Sequence, residues 1–330
     1  SSYDFVRDMV IDSAGYIYIT GFTSSENFPV DTGAYSRELN NNQWDYPDVF
    51  VSKFSPDGKD LVFSTYIGGL GDDYAESIAI DTADNIYITG YTWNIEFPLT
   101  EDIYQDSAAG GYDAFVLKLD SNGSNLIYST LIGGSKDDYG TSIAVNNAGE
   151  AHIVGYCTSD GNYPITENAF QKTSRGKYDT FITKISSDAT ELVYSTYWSG
   201  SDDDFGQDIL LYPDGRVLVA GRTSSSNLTT SPDAYDRDFS SSDTSDAFFG
   251  IISKSGNSLI YGTYFGGSKE DGAYSAAFDN FYNIHISGYT ESVNFPITEN
   301  AHDKILNNDI NLPGSSDSFI AKFDSTGRSL

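Results

Sequence analysis

The chain has 330 residues, with 48 acidic against 18 basic side chains and a formal net charge of −30. That balance excludes nucleic-acid binding through a general basic surface and disfavours docking on anionic lipid, because the charges repel. A single cysteine, Cys157, excludes intrachain disulfides and cysteine-rich metal sites, and no apolar run approaches membrane-spanning length.

Along the chain the strongest signal is an internal repeat. A Gly-aromatic-Thr motif recurs at Gly21-Phe22-Thr23, Gly90-Tyr91-Thr92, Gly155-Tyr156-Cys157, Gly221-Arg222-Thr223 and Gly288-Tyr289-Thr290, at intervals of 69, 65, 66 and 67 residues. An Asp-x-Phe motif keeps step at Asp48, Asp113, Asp179, Asp246 and Asp317. Ser64-Thr65-Tyr66-Ile67-Gly68-Gly69 returns at Ser129, at Ser195 and, with Gly in place of Ser, at Gly262. The register gives units of about 1–69, 70–134, 135–200, 201–267 and 268–330, which fill the chain as one domain.

Each unit reads as four strands, in the second unit Ser77–Asp81, Asn85–Thr92, Asp113–Leu119 and Leu126–Ile132. They are rich in β-branched and aromatic residues and bounded by Gly, Asn or Asp turns. Tight turns such as Asp12-Ser13-Ala14-Gly15 and Asp120-Ser121-Asn122-Gly123 make the neighbours antiparallel. The strands are apolar on both faces, with no helix between them, so neighbouring sheets must cover them. The fold expected is all-β, a five-bladed β-propeller of four-stranded repeats. Its innermost strands are predicted at Asp8–Asp12, Ser77–Asp81, Ser142–Asn146, Asp208–Tyr212 and Ser275–Asp279.

The longest connection, between second and third strands, repeats Asn27-Phe28-Pro29 at Glu96-Phe97-Pro98, Asn162-Tyr163-Pro164 and Asn294-Phe295-Pro296. An aromatic or His follows at Tyr35, Tyr104, Phe170, Tyr235 and His302. These side chains are expected to pin the loop onto its blade. Thr166-Glu167-Asn168-Ala169 and Ser231-Pro232-Asp233-Ala234 look like a capped single helical turn.

Several phrases in register carry a family resemblance. Gly68-Gly69-x-x-Asp72-Asp73, Ile78-Ala79-Ile80-Asp81 followed by Asn85-Ile86-Tyr87-Ile88-Thr89-Gly90, Phe97-Pro98-x-Thr100 and Asp113-Ala114-Phe115-Val116 resemble the SBBP-type β-propeller repeat. Asp81–Gly90 is also similar to the NHL repeat, whose units are much shorter. The resemblance implies a fold and a location, secreted or surface proteins of bacteria and archaea, and carries no catalytic residues to transfer.

The most regular acids lie where one unit passes to the next: Asp4, Asp73, Asp138, Asp204 and Asp271, preceded in four units by Asp72, Asp137, Asp203 and Glu270. One reading has each carboxylate accept backbone N–H groups at a strand end. The other is calcium, a hard cation that collects oxygens from paired acids. His152 and His285 stand where other units have Tyr18 and Tyr87, and His302 where they have Tyr35, so the three histidines read as replacements of packed aromatics. Trp44 and Trp93 break the repeat in long loops and are candidate anchors for a sugar or a protein, with local pinning of their own loops as the alternative. Trp198 falls on a strand and reads as core.

The function expected is a non-catalytic extracellular or cell-surface scaffold, structural, adhesive or binding protein or glycan, with other copies of itself as a further partner. A carbohydrate-active enzyme, a glycosidase or lyase on the same fold, is the alternative. It needs two carboxylates in unequal surroundings, whereas acids repeated five times share similar ones. The last unit lacks the residues matching Val62–Gly69. Its third strand, Ser318, Phe319, Ile320, Ala321, Lys322 and Phe323, is therefore expected to offer an unpaired edge to an extended segment from outside residues 1–330.

Overall fold

A computed structural model of the chain describes residues 3–40, 46–93, 96–240, 244–306 and 315–330. The described residues form nineteen strands and no helix. The first blade is β1 (Asp4–Ile11), β2 (Ile17–Thr23), β3 (Asp48–Phe54) and β4 (Leu61–Ile67). The second is β5 (Asp73–Ile80), β6 (Ile86–Thr92), β7 (Asp113–Leu119) and β8 (Leu126–Ile132). The third is β9 (Asp138–Val145), β10 (Ala151–Thr158), β11 (Tyr178–Ile185) and β12 (Leu192–Tyr197). The fourth is β13 (Asp204–Leu211), β14 (Val217–Thr223), β15 (Asp246–Ile252) and β16 (Leu259–Phe265). The fifth has three strands, β17 (Asp271–Phe278), β18 (Ile284–Thr290) and β19 (Asp317–Phe323). Each sheet runs in sequence order, the meander expected of a five-bladed β-propeller.

Contacts divide the chain into two compact units. One holds residues 1–153, 160–164 and 183–193, the other residues 154–159, 165–182 and 194–330. In the first, Val49, Val51 and Ile67 of blade one join Ile78, Ile88, Phe115 and Leu117 of blade two in one buried cluster. In the second, Phe249, Tyr261 and Phe265 of blade four join Ala276, Ile286 and Phe323 of blade five. Within each cluster one sheet covers its neighbour, which is why these strands are apolar on both faces.

First strands start four residues earlier than their sequence pattern indicates. β5 begins at Asp73 instead of Ser77, and β1, β9, β13 and β17 begin likewise at Asp4, Asp138, Asp204 and Asp271. The cause is a β-bulge: pairing slips between Val6 and Asp8, Ala75 and Ser77, Gly206 and Asp208, and Ala273 and Ser275. The extra residue breaks the alternation that marks a strand. It also brings the first strand onto the second. A side chain at Gly21, Gly90, Gly221 or Gly288 would collide with the carbonyl oxygen of Phe5, Tyr74, Phe205 or Gly272, which accounts for the glycine of the Gly-aromatic-Thr motif.

The residue just past the bulge ties one first strand to the next. Asp8 accepts from Ser77 Oγ at 2.8 Å and Ile78 N at 2.9 Å, and Asp208 accepts from Ser275 Oγ at 3.1 Å and Ala276 N at 2.7 Å. Ser77 Oγ accepts in turn from Ile143 N at 3.3 Å.

At the opposite strand end a carboxylate, an aromatic and a lysine meet. Asp81 takes the Tyr87 hydroxyl at 3.0 Å and lies 3.5 Å from Lys118 Nζ, which sits 4.7 Å from the Tyr87 ring centre. Asp12, Tyr18 and Lys53 repeat this. His152 and His285 fill the aromatic place, beside Lys184–Glu150 and Lys322–Asp279 ion pairs. Burial pushes the His152 imidazole down to about 3, so it is neutral. His302 differs from the expectation: it is exposed. The amides of Tyr35, Tyr104 and Phe170 bond to the outer turn of the following blade at Gly123, Ala189 and Gly256, whereas His302 belongs to the last blade. The expected helical turns are β-turns, closed by single bonds from Ala169 N to Thr166 O and from Ala234 N to Ser231 O, each 3.2 Å.

Leu117 is fully buried in the first cluster and Ile80 only partly so. Truncating Leu117 to Ala should cost about 2–5 kcal/mol of unfolding free energy, and Ile80→Ala distinctly less. Urea denaturation of the two variants checks this; equal losses would contradict the packing described.

Candidate functional site

The repeated acids pair across the blade junctions, but not with their sequence neighbours. Asp73 at the head of β5 lies beside Asp48 at the head of β3, at a point where a side chain on Gly68 would stand 2.6 Å from Asp48 Oδ1 and 2.7 Å from Asp73 Oδ2. Asp113 and Asp138 meet at Gly133, and Asp246 and Asp271 at Gly266. All six carboxyls are at most 1% exposed.

Each pair closes the crossover with backbone donors. Asp73 accepts from Gly69 N at 2.7 Å and Thr92 Oγ1 at 2.5 Å, while Asp48 accepts from Asn40 N at 2.8 Å. Gly134 N, Gly200 N and Gly267 N give the same bond to Asp138, Asp204 and Asp271 at 2.6, 2.7 and 2.6 Å. This is the capping role expected of buried carboxyls at strand ends.

The preceding acids face elsewhere, because successive residues of extended chain point to opposite sides. Asp72 accepts the Tyr112 hydroxyl at 3.1 Å, Asp137 accepts Tyr112 N at 3.0 Å, and Glu270 accepts the Tyr289 hydroxyl at 2.8 Å. Asp203 is half-buried and receives Ser224 N on its backbone carbonyl at 2.8 Å. Neighbouring acids therefore do not combine into one oxygen shell. Among the described residues no group of three or more His, Cys, Asp or Glu is placed to hold a metal ion.

The junction acids hold protons strongly. Burial pushes Asp48 up to about 7, Asp138 to about 8 and Asp246 to about 7, and in the latter two a neighbouring carboxylate adds to the rise. Burial likewise raises Asp113 to about 6. Asp48 Oδ1, Asp113 Oδ1 and Asp246 Oδ1 find no hydrogen-bond partner, which suits a proton carried on the pair.

A second feature lies beside these junctions in the first unit. Tyr74 and Tyr91 are cross-strand partners on β5 and β6, and their rings lie 5.0 Å apart. Tyr91 also meets Tyr112 at 5.4 Å and Tyr139 at 4.9 Å, and Trp93 stands edge-on to Tyr112 at 5.0 Å. The four tyrosines are half-buried and the indole is 49% exposed.

The Trp93 amide donates to Asp72 O at 2.9 Å, and the same bond recurs from Ser24 N to Tyr3 O and from Ser224 N to Asp203 O. Its backbone place is thus set by the repeat, and only the side chain is particular to this blade. The result is an aromatic platform of mostly edge-on rings with the Asp72 carboxyl at its edge, whose exposed indole is suited to stacking on the apolar face of a ligand. Trp44 lies outside the described residues, and Trp198 is fully buried, as expected of core.

Trp93 was legible in the sequence, while Tyr112 and Tyr139 were not. The chain has 25 tyrosines, most serving as packing, and nothing local separates these two. The available signal was the aromatic after the Asp-Asp pair, at Tyr74 and Tyr139, matched with the Gly-aromatic-Thr motif across the strand pair. The edge residues Ser318–Phe323 fall within β19, whose partner is β18; no strand of the described residues lies on its other side.

Acidification should stabilise the protein between pH 8 and pH 5. The folded pKa values of the junction acids exceed the unfolded value of 3.8, so their stabilising contribution is complete below about pH 4 and is lost as pH rises through 6 to 8. Each such proton is worth on the order of 1–4 kcal/mol. Asp48→Asn should raise the melting temperature at pH 8 and flatten its pH dependence. A melting temperature that falls from pH 8 to pH 5 would contradict the assignment.

Comparison with solved structures finds likenesses of fold alone. A protein of unknown function from Dyadobacter fermentans is 12% identical, with a TM-score of 0.47 over 86% of this chain and 74% of its own. A variant of NanB sialidase from Streptococcus pneumoniae is 8% identical, with a TM-score of 0.48 over 86% of this chain and 56% of its own. An ulvan lyase from a new polysaccharide-lyase family is 11% identical, with a TM-score of 0.45 over 85% of this chain and 64% of its own. The chain thus spans less than two thirds of the sialidase and the lyase, and at these identities neither assigns it an activity. No curated protein matches it. A family model, the SBBP β-propeller repeat, matches residues 1–29 and 62–98. Both matched segments carry the Gly-aromatic-Thr motif, the bulged first strand and the junction aspartate, so the match falls on the features that the blades repeat.

Proposed function

We propose that the chain is a non-catalytic, extracellular or cell-surface binding module whose aromatic platform takes a neutral glycan. One observation carries this reading: an indole 49% exposed, held at a backbone position fixed by the repeat and buttressed by Tyr112. A half-exposed indole packed against a tyrosine at a strand end loses little entropy on binding and offers a flat apolar face that sugar rings stack against. The formal charge of −30 favours neutral glycans over sulfated or uronate ones, which it repels. The same acidity supports solubility in a secreted setting. The repeated junction carboxyls are buried and engaged with backbone donors, so they are not open to a substrate.

Titration with neutral and acidic polysaccharides, followed by tryptophan fluorescence, tests this. Trp198 is buried, so a ligand reaching Trp93 should change the emission. Trp93→Ala should weaken neutral-glycan binding at least about tenfold, roughly 1.4 kcal/mol, with the melting temperature little changed. Equal binding by the variant would remove the platform from the reading, and release of shorter saccharides would instead establish the enzyme.

A further inference from the structure

In the first four blades the outer strand is held on both sides. The third strand pairs with one edge, and the long Phe-Pro loop of the same blade grips the other. In blade two, Thr100 N donates to Ser129 O at 3.2 Å and Thr100 Oγ1 accepts from Ser129 N at 3.1 Å. Further along, Leu131 N donates to Gln105 O at 3.2 Å and Gln105 N to Thr130 Oγ1 at 3.0 Å.

The same bonds appear in blade one between Asp31 and Ser64 and between Ser36, Thr65 and Tyr66. They recur in blade three between Thr166 and Ser195 and between Gln171, Thr196 and Tyr197. Blade four has them between Ser231 and Gly262 and between Asp236, Thr263 and Tyr264. A tyrosine locks the strand in two of these blades: Tyr66 donates to Ser25 O at 3.0 Å and Tyr264 to Ser225 O at 2.7 Å.

Blade five has the loop and the third strand, and between them a groove of about 580 Å³. By register, Ser292 stands where Ser25 and Ser225 stand, Thr298 where Thr100 and Thr166 stand, and Asp303 where Gln105 and Gln171 stand. All three line the groove, together with Phe295 and Phe319. Those two rings pack 4.6 Å apart, as Phe28 and Phe50 do at 4.5 Å beneath the outer strand of blade one. The groove therefore presents the grip that holds an outer strand elsewhere, with its apolar floor already assembled.

We propose that this groove is an acceptor for an extended polypeptide strand of the repeat's own outer-strand type, supplied from outside residues 1–330. Its recognition pattern is aliphatic-aliphatic-aromatic, then Ser or Gly, Thr, Tyr, an apolar residue and Gly-Gly, as in Leu61–Gly69 and Leu259–Gly267. Backbone pairing with β19 supplies affinity. The Thr hydroxyl against the loop and the Tyr hydroxyl toward Ser292 O supply register, the mode of strand addition to an open sheet edge. Addition would also remove a bare edge of the kind proteins protect.

The test uses the 330-residue chain and a synthetic peptide of sequence LVFSTYIGG, with a solubilising tail. Calorimetry should give one site per chain. The melting temperature should rise with peptide concentration, as expected of a ligand that binds only the folded state. Amide exchange should slow in residues 317–323. A peptide with Pro in place of Thr should not bind, and Thr298→Val in the chain should weaken binding several-fold while leaving the unliganded melting curve unchanged. Absence of binding, binding of the Pro peptide with equal affinity, or protection outside blade five would overturn the proposal. So would sedimentation showing a dimer that the peptide does not dissociate, since a second copy would then fill the groove.

Discussion

A buried aspartate at the head of a first strand governs how one blade passes the chain to the next. Its carboxyl collects the amide of the glycine that ends the preceding turn and, at Asp73 and Asp204, a threonine hydroxyl from the neighbouring strand. Burying such a group is tolerable only with donors in place, so the turn and the strand end are fixed together. The first glycine of the turn follows from the same constraint, because at Gly68, Gly133 and Gly266 two carboxyls occupy the space a side chain would need. What reads in the sequence as a glycine-rich loop is a packing requirement around paired acids.

The sequence made the outer half of each blade legible and blurred the inner half. β7 and β8 begin and end where their patterns do, since both are continuous apolar runs between clear turns. β5 does not, because its bulge shifts the alternation, and Asp73–Glu76 then resembles a loop. The acids were legible as a repeated feature, but adjacency in sequence suggested pairs such as Asp72 with Asp73. The spatial pairs are Asp48 with Asp73 and Asp113 with Asp138, brought together by the crossover from distant segments. A strand end separates neighbours to opposite sides, so the sequence pair and the structural pair differ by construction.

The few cations are placed with similar economy. Lys53, Lys118, Lys184 and Lys322 each neutralise an acid at the inner hairpin, three of them largely shielded by packing against aromatic rings or strands. Such partly buried pairs are screened less than surface ones. They let the chain carry its acidity without crowding like charges at the turns. Where tyrosine gives way to histidine, at His152 and His285, the lysine and acid remain.

The protons kept at the junctions also change what the protein presents to its surroundings. A tally of ionisable residues gives −30 only if every acid is dissociated, yet Asp48, Asp138, Asp204 and Asp246 titrate near neutrality. The effective charge in electrophoresis or ion exchange should therefore be smaller than composition indicates, and it should grow across a pH range in which ordinary carboxylates are silent. The interior of the blades acts as a buffer, and its capacity scales with the number of junctions.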